Sequence, residues 1–432
     1  MLQQTGSKEE VGVRRPCMWT SLMVLGAALA GEVCQPAVAA TLCVNPGGSS
    51  GCFSTIGAAV AAASIHDHIN VEAGTYKEDV IIGKALSLSG MNPGNTIIDA
   101  TGLSNGIYID GIDNPGLHNV VVTGFTIENA NFEGVLLTNT SYSLVYGNRV
   151  IDNDKSLVIA SGVCPGQPSF ETSEGDDCGE GIHLIGVDHS TIANNLSQGN
   201  SGGILLSDET LPTHDNLISG NTVMNNPYDC GITMASHPPA SGTAPLGVLH
   251  NTVANNESSH NGYLIPGAGA GVGIFTFLPG GNVSGNVVIN NKLTNNGLPG
   301  VAFHAHGTGE SLNDNMIVGN TISGNGPDTE DAATPGPTGI NVFGVSAITG
   351  TIISQNVIDS EQLDIVVNTP TQVQANLNNF LDAQFGLDNI GTSGSAYAVE
   401  NWWGCSGGPL VTGCSLAGGP NVLFAPWLTA PF

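Results

Sequence analysis

Pairs of asparagines five residues apart recur through the middle of the chain. Successive pairs lie a few tens of residues apart, which is too short for a domain and right for one solenoid coil with an inserted loop. Asparagine tolerates the left-handed backbone of tight turns, and stacked asparagines can bond from coil to coil. The pairs are Asn148/Asn153, Asn195/Asn200, Asn221/Asn226, Asn251/Asn256, Asn291/Asn296 and Asn320/Asn325. The repeat therefore predicts asparagine-lined turns in a stacked structure.

A glycine and a short β-rich run follow most of these pairs. The runs are rich in β-branched residues, which is typical of strands. They are "GIHLIG" (181–186), "GILLSD" (203–208), "GITMAS" (231–236), "GIFTFL" (273–278), "GVAFHA" (300–305), "GINVFG" (339–344) and "DIVVNT" (364–369). One coil cannot bury its apolar face alone, so stacked coils must share one long core. The pattern predicts an all-β chain folded as a single parallel β-helix, and the strict placing of the apolar residues excludes a low-complexity polar tract.

The first 39 residues differ from the rest of the chain. Arg14 and Arg15 precede the apolar segment "MWTSLMVLGAALAG" (18–31), and "AVA" (37–39) has the small residues of a signal-peptide cleavage site. The apolar segment is too short to span a bilayer. We therefore predict a signal peptide over 1–39, a secreted or periplasmic protein, and no stable membrane insertion after cleavage.

The charge balance limits the choice of partner. The chain has 8 basic and 36 acidic residues, and three of each lie within residues 1–39, so 5 basic and 33 acidic residues remain beyond that segment. A surface this acidic repels nucleic acid, and it repels polyuronates unless cations intervene. We expect no nucleic-acid partner, and we expect a monomer.

The cysteines beyond residue 39 form three close pairs and leave one over. The pairs are Cys43/Cys52, Cys164/Cys178 and Cys405/Cys414, each of which would close a short loop in an exported protein. The remaining cysteine is Cys230, in "NPYDCGI". We interpret it as a small buried residue rather than a reactive thiol.

Both ends of the chain carry recognisable segments. "STIGAAV…INVEAGTYKEDVIIGKALSLSG" (54–90) resembles the N-terminal entry of secreted bacterial right-handed parallel β-helix repeat proteins, and "ENWWGCSGGP" (400–409) with "APWL" (425–428) resembles their C-terminal ending. That broad group includes pectate lyases, polygalacturonases and the periplasmic copper-site accessory proteins of nitrous oxide reductase. The resemblance implies a right-handed β-helix with an N-terminal capping helix. The expected organisation is a signal peptide (1–39), a cap with the first coils (40–118), the repeat region with inserted loops (119–375), and the C-terminal coils and cap (376–432).

Alignment of the β-rich runs on the residue after glycine separates the two faces of each strand, since alternate residues point to opposite sides. The residues expected to face the core are Ile182, Ile204, Ile232, Ile274, Val301, Ile340 and Ile365, followed two positions later by Leu184, Leu206, Met234, Thr276, Phe303, Val342 and Val367. The residues expected to face outward are His183, Thr233, Phe275, Asn341, Ser207, Phe277, His304, Phe343, Asn368, Glu209, His237 and His306.

The outward residues suggest a groove. We predict that His304 and His306 form its floor, because aromatic and imidazole rings can hold the apolar faces of sugars. The acidic loop "GPDTEDAATPGPTG" (326–339) would form its wall, since glycoside hydrolysis needs two carboxyl groups. The candidate catalytic residues are Asp328, Glu330, Asp331, His304 and His306, and the candidate substrate-binding residues are His237, Phe277, Phe343, Asp229 and Asn341. A carboxylate and imidazole cluster could also hold a divalent cation such as Ca²⁺.

The predicted function is that of a secreted carbohydrate-active protein whose partner is a polysaccharide, acting as a hydrolase or a related glycan-processing enzyme. "GDDC" (175–178) resembles a polygalacturonase segment, but the N-T-D, G-H-G and R-I-K segments of that family are missing. A pectate-type lyase needs an arginine or lysine as its base and cations to neutralise the uronate, and no arginine or lysine lies among the outward positions. The alternatives are a non-catalytic glycan- or surface-binding protein and a periplasmic metal-binding accessory protein. As an outward residue, His304 is expected to be replaceable at little cost in stability.

Overall fold

The computed structural model describes residues 39–172, 178–237, 246–264, 268–276, 278–329 and 334–432. Residues Ala39–Phe432 form one compact unit. The predicted signal peptide lies outside the described residues except for Ala39, and the four-part organisation stays a prediction. Within the described ranges the chain is almost entirely β-strand and turn, with one helix, Ile56–Ala62.

Each coil contributes one strand to each of three long parallel sheets, named here sheets A, B and C. Sheet A has 14 strands in the described part of the chain. In order along the sheet they are Thr41–Val44, His68–Val71, Ser87–Gly90, Val121–Thr123, Leu144–Tyr146, Thr191–Ala193, Leu217–Ser219, Thr252–Ala254, Val287–Ile289, Met316–Val318, Ile352–Ser354, Gln372–Asn376, Ser395–Tyr397 and Val422–Leu423.

Sheet B carries the β-rich runs that follow glycine. Its 12 described strands are Val80–Ile82, Ile107–Asp110, Val135–Thr138, Glu180–Ile185, Gly202–Ser207, Ile232–Ser236, Val272–Thr276, Val301–Ala305, Thr338–Gly344, Leu363–Asn368, Phe385–Asn389 and Leu416–Gly418. The loops that vary most in length enter just before these strands, so they lie next to the outer face of sheet B.

Sheet C lies between sheets A and B along each coil. Its 11 described strands are Gly74–Tyr76, Thr96–Asp99, Thr126–Glu128, Arg149–Ile151, Leu196–Gln198, Thr222–Met224, Glu257–Ser259, Lys292–Thr294, Thr321–Ser323, Val357–Asp359 and Asn379–Leu381. A short fourth sheet, Thr213–His214, Val248–Leu249 and Val283–Ser284, lines one corner of the middle coils. This arrangement is the predicted parallel β-helix.

The three sheets enclose one continuous apolar core that runs from Val44 to Trp403. Leu184, Leu206 and Met234 in sheet B are completely buried in it, as the alternation of the strands predicts. Fully burying such a side chain is worth roughly 1.5–3 kcal/mol. The core is therefore built coil by coil, and each coil depends on its neighbours for burial.

The helix Ile56–Ala62 packs against the first coils. Thr55 caps it by accepting a hydrogen bond from the Ala58 backbone N–H at 3.2 Å. The Glu78 carboxylate accepts the Ile56 and Gly57 N–H groups at 2.8 Å each, which places a negative charge at the positive end of the helix. The predicted capping helix is thus present, at Ile56–Ala62.

Asparagine ladders run along the corners of the β-helix. In the longest ladder, each amide oxygen accepts both the backbone N–H and the Nδ2–H of the asparagine one coil earlier, and each Nδ2 also donates to a backbone carbonyl. The ladder is Asn148, Asn195, Asn221, Asn256, Asn291, Asn320, Asn356, Asn378 and Asn401. Nearly every polar atom of these buried side chains is thereby satisfied.

Two further ladders are present, and they show that one asparagine pair of the sequence repeat was assigned differently from the others. Asn153, Asn200, Asn226, Asn261, Asn296 and Asn325 form the second, and Asn216, Asn251, Asn286 and Asn315 form the third. Asn251 therefore belongs to the third ladder, and Asn256 pairs with Asn261 in its coil. Backbone with positive φ occurs at the residue before the ladder asparagine, as at Asn255 and Gly319, so the turn and the ladder use different residues.

Three disulfides join the predicted partners, Cys43–Cys52, Cys164–Cys178 and Cys405–Cys414. Cys230 is buried, as expected, and its sulfur accepts a hydrogen bond from the Ala270 N–H at 3.1 Å. Disulfides persist in oxidising compartments, so the three bonds fit a protein that works outside the cytoplasm.

Replacing a ladder asparagine should weaken the whole β-helix. Asn291→Ala removes four hydrogen bonds, two from Asn256 and one each to Val253 and Asn320. We expect a loss of roughly 3–5 kcal/mol in unfolding free energy, because the buried partners lose their bonds as well. The control is Asn290→Gly, which keeps the ladder and suits the left-handed backbone at that position. Urea unfolding of both variants measures the difference, and equal midpoints would show that the ladder contributes little.

The second ladder ends on a carboxyl group that should make stability depend on pH. Glu361 accepts the backbone N–H and the Nδ2–H of Asn325, both at 2.9 Å, and burial raises the pKa of Glu361 from 4.5 to about 7. Because the pKa of Glu361 is higher in the folded than in the unfolded protein, its protonated form stabilises the fold. This contribution to the unfolding free energy, on the order of 3 kcal/mol, is fully present below pH 4.5 and is lost as the pH rises through 7. Glu361→Gln keeps the acceptor but does not titrate.

The measurement is the melting temperature of wild type and Glu361→Gln from pH 4.5 to 8. The melting temperature of Glu361→Gln, relative to that of the wild type, should increase as the pH rises. Glu72→Gln, at an exposed position, is the control and should follow the wild type throughout. Parallel curves for Glu361→Gln and wild type would contradict the raised pKa.

Candidate functional site

The strand register of sheet B decides which outward residues meet. Val272, not Ile274, pairs with Val301, because Gly271 rather than Gly273 is the glycine that enters the strand. The expected alignment was therefore shifted by two residues at this coil. Phe275 takes the place predicted for Phe277, directly beside His304. Phe277 itself lies outside the described residues.

His304 forms a close pair with an acid from the neighbouring loop. Its Nε2 lies 2.6 Å from Asp328 Oδ2, and Asn341 Nδ2 donates to the same oxygen at 3.2 Å. The Asp328 and Asn341 side chains are fully buried. We call His304, His306, Asp328, Asn341, Phe275 and Phe343 the His304 cluster.

Aromatic rings surround this pair. The His304 ring centroid lies 4.8 Å from that of Phe275, 5.5 Å from that of His306 and 6.3 Å from that of Phe343. The Nδ1 atom of His306 lies 3.2 Å from the Thr276 carbonyl oxygen, a hydrogen bond in which the ring donates. His306 and Phe343 are partly exposed, so the cluster reaches solvent at these two rings.

The outward direction of His304 is as predicted, but its exposure is not. The residue is only 4% exposed, because the loop that carries Asp328 covers it. The expectation that His304 can be replaced at little cost is therefore not supported by its surroundings. Removing the imidazole would take away the 2.6 Å partner of a fully buried carboxylate.

A second group of polar residues lies four coils earlier on the same face. His183 Nδ1 is 3.4 Å from Glu133 Oε1 and 3.8 Å from Glu180 Oε2, and its Nε2 is 2.8 Å from Ser207 Oγ. All four side chains are buried. With Glu171, Glu209 and His237 they form what we call the His183 cluster. At about 4.8 Å per coil, the two clusters are roughly 19 Å apart.

Glu209 links His183 to His237. Ser207 Oγ donates to Glu209 Oε2 at 2.5 Å, and His237 Nδ1 lies 2.8 Å from Glu209 Oε1. Burial alone would raise the pKa of Glu209, but His237, His183 and the Ser207 hydroxyl lower it to about 2. Glu209 is therefore ionised at neutral pH.

Glu171 comes from the insertion that precedes the strand Glu180–Ile185. Burial and the charge of Glu133 raise the pKa of Glu171 well above its ordinary value. Glu171 lines a small recess of about 20 Å³ together with Glu133, Glu180 and His183. That volume suits a single water or ion and is too small for a sugar.

The predicted site residues thus divide between two places. His304, His306, Asp328, Asn341 and Phe343 lie together, as predicted, whereas Glu330 and Asp331 lie outside the described residues. His237 does not join them, because it is bonded to Glu209. Asp229 lies beside the His183 cluster as well, since it and Glu180 flank Gly202 from the neighbouring coils.

Sequence reasoning missed three acids of the His183 cluster. Glu133 lies just before a strand of sheet B, Glu180 is the first residue of the next strand of that sheet, and Glu171 lies in the insertion closed by Cys164–Cys178. His183 and Glu209 were recognised as outward residues. A signal that was available is the acid two residues before the first core position of a β-rich run, as at Glu133 before Val135 and Glu180 before Ile182.

Comparison with known proteins agrees with this architecture. Residues 91–276 match the family model described as right handed beta helix region. The protein is a right-handed parallel β-helix protein. No curated protein matches this β-helix in sequence. The helix Ile56–Ala62, the one helix in the described ranges, is too short to cross a bilayer.

Several solved structures are similar to this β-helix. ORF18 of Geobacillus virus E2 is 14% identical, with a TM-score of 0.49; the match covers 73% of this chain and 54% of the viral chain. The A-module of mannuronan C-5 epimerase AlgE4 from Azotobacter vinelandii is 14% identical, with a TM-score of 0.44 and coverage of 77% and 91%. An alginate lyase from Paenibacillus sp. is 12% identical, with a TM-score of 0.42 and coverage of 89% and 99%.

The His304–Asp328 pair should contribute to stability. We expect His304→Ala to lower the unfolding free energy by about 3 kcal/mol, because it leaves the buried Asp328 carboxylate without its closest partner. His260→Asn, an exposed histidine with left-handed backbone that asparagine tolerates, should change little. Urea unfolding at pH 7 compares them. A His304→Ala loss as small as that of the control would mean that the covering loop opens at low cost.

Proposed function

We propose that this β-helix is an exported carbohydrate-active enzyme that hydrolyses a neutral polysaccharide at the His304 cluster. The observation that carries the proposal is the buried His304–Asp328 pair, set among aromatic rings on the outer face of sheet B. An acid–base pair next to rings that reach solvent is what a sugar-binding catalytic site needs.

The rings would hold the sugar. Phe343 and His306 are the partly exposed members of the cluster, and their centroids are 6.0 Å apart. A sugar ring that lies on them buries its apolar face, as in other glycan sites lined by aromatic residues. Asn341 is fully buried and positions Asp328.

The tautomer of His304 suits a general base. A proton on Nε2, shared with Asp328 at 2.6 Å, leaves the lone pair of the neutral ring on Nδ1. Nδ1 can accept a proton from a water molecule whose oxygen forms the new bond to the anomeric carbon. The glycosidic C–O bond then breaks, and the leaving oxygen takes a proton from an acid.

The acid would come from the loop that carries Asp328. Glu330 and Asp331 follow it within three residues in the sequence and remain the candidate general acids. Hydrolysis requires such a second group opposite the base. His306 would orient the substrate.

The charge of the protein favours a neutral substrate. The chain beyond residue 39 has five basic residues, Lys77, Lys84, Arg149, Lys155 and Lys292, against 33 acidic ones. Lys292 is exposed and paired with Glu257 on sheet C. A polyuronate would therefore meet repulsion that a neutral glycan avoids.

The test is a screen of the purified protein on neutral polysaccharides and on polyuronates, with and without Ca²⁺. We expect new reducing ends from a neutral glycan. Asp328→Asn and His304→Gln should lower the rate at least ~100-fold while binding persists, and Phe343→Ala should weaken binding several-fold. His260→Asn is the control and should act like the wild type.

Other outcomes would reject this function. Retained binding without bond cleavage would identify a non-catalytic glycan-binding protein. Unsaturated products from a polyuronate, measured by ultraviolet absorbance, would identify a lyase. Full activity in Asp328→Asn, with an unchanged melting temperature, would place the chemistry elsewhere.

A further inference from the structure

We propose that Glu133, Glu180 and His183 hold a divalent transition-metal ion such as Zn²⁺ or Mn²⁺, with Glu171 as a further ligand. The site is separate from the His304 cluster and does not depend on the proposed hydrolysis. Its role is to fasten residues 155–172, the part of the insertion that carries Glu171, onto the outer face of sheet B.

The donor atoms already converge. One ligand atom each from Glu133, Glu180 and His183 lies within 4.8 Å of the others, and all three residues are buried. The three positions are fixed by the β-helix, because Glu180 and His183 belong to one strand and Glu133 lies one coil earlier, where Gly134 N–H donates to the Glu180 carbonyl. Such a site is preformed and needs little rearrangement to bind an ion.

The hydrogen bonds of His183 aim a lone pair at this point. The single hydroxyl proton of Ser207 is donated to Glu209, so Ser207 Oγ must accept from His183 Nε2–H. In the neutral ring the lone pair is then on Nδ1, the atom that faces Glu133 and Glu180. Fixing one imidazole nitrogen by a hydrogen bond so that the other can coordinate is the usual arrangement around metal-binding histidines.

Glu171 gives an independent indication of a ligand. Its side chain is buried, and it lines the recess beside Gln167. Neither carboxylate oxygen makes a hydrogen bond of ordinary length and angle within the described residues. Buried carboxylates without hydrogen bonds are costly, and a cation in the recess would satisfy this one. The recess volume of about 20 Å³ is sufficient for one ion or water.

The charge and type of the donors select the ion. Four glutamates and two histidines line the recess, and its described lining contains no lysine or arginine. Ca²⁺ prefers oxygen ligands alone, whereas an imidazole nitrogen with carboxylates suits Zn²⁺ or Mn²⁺. A metal here would join Glu171 of the insertion to two coils of sheet B.

The experiment uses the full-length protein after treatment with a chelator and dialysis. Titration with Zn²⁺, Mn²⁺ or Ca²⁺ is followed by calorimetry, melting temperature and the rate of proteolysis within residues 155–172. We expect one equivalent of Zn²⁺ or Mn²⁺ to bind, to raise the melting temperature and to slow cleavage of the insertion, with a much weaker effect of Ca²⁺.

Variants locate the ion. Glu180→Gln and Glu171→Gln should each weaken binding at least ~10-fold and remove the protection against proteolysis. The matched control is His214→Gln, because His189, His214 and Asp215 form a surface group that could also bind metal. The His214→Gln substitution should leave the affinity and the number of tightly bound metal ions unchanged.

Three results would overturn the proposal. The first is the absence of metal binding by the wild type. The second is loss of binding in His214→Gln with retention in Glu180→Gln, which would assign the ion to the surface group. If Glu180→Gln does not fold, the third is unchanged binding and protection in Glu171→Gln.

Discussion

The asparagine ladders are the interaction on which the rest of the structure depends. The oxygen of each ladder side chain accepts from the asparagine one coil earlier, and its nitrogen donates to the asparagine one coil later and to a backbone carbonyl, as at Asn195. One buried amide thus supplies several of the hydrogen bonds that the turn needs. The ladders therefore fix the register between coils. Because the register is fixed at the corners, the strands of all three sheets stack with the same residues in line, and insertions between them do not disturb the core.

This constraint explains how the outer face of sheet B can carry clusters of polar residues. Its inward residues are committed to the core, whereas its outward residues are free to vary from coil to coil. The inserted loops enter just before these strands and cover them. Asp328 reaches His304 in this way, and Glu171 reaches the recess near His183. Polar side chains that would be exposed on a β-helix without these loops thus become buried. A buried charge or polar group is costly unless it has a partner, so these residues need the contacts that they make.

The two clusters differ in what they can do. The His304 cluster has one acid, two imidazoles and aromatic rings that reach solvent, which suits a bulky uncharged ligand. The His183 cluster has four carboxyl groups, two imidazoles and room for a single ion. Glu209 is held ionised by its neighbours, whereas burial raises the pKa of Glu171. The His183 cluster therefore holds carboxyl groups of very different pKa close together. In the two functions that we propose, the His304 cluster would take a neutral glycan and the His183 cluster a cation.

The sequence by itself determined the β-helix, the three disulfides and the outward direction of His183, His237, His304 and Phe343, because period-two alternation and spacing are local properties of the chain. The capping helix was expected from the resemblance of residues 54–90 to the N-terminal entry of other β-helix proteins. The sequence also brought Asp328 and Asn341 to His304. The register predicted from the sequence was wrong at "GVGIF" (271–275), because either of two glycines could precede the strand. The predicted neighbour of His304 was therefore wrong as well. Tertiary structure alone decided that His304 is buried, that His237 belongs with Glu209, and that Glu133, Glu171 and Glu180 meet. The physical reason is that these contacts depend on how loops of different length fold back over the sheet, and no periodicity records that path.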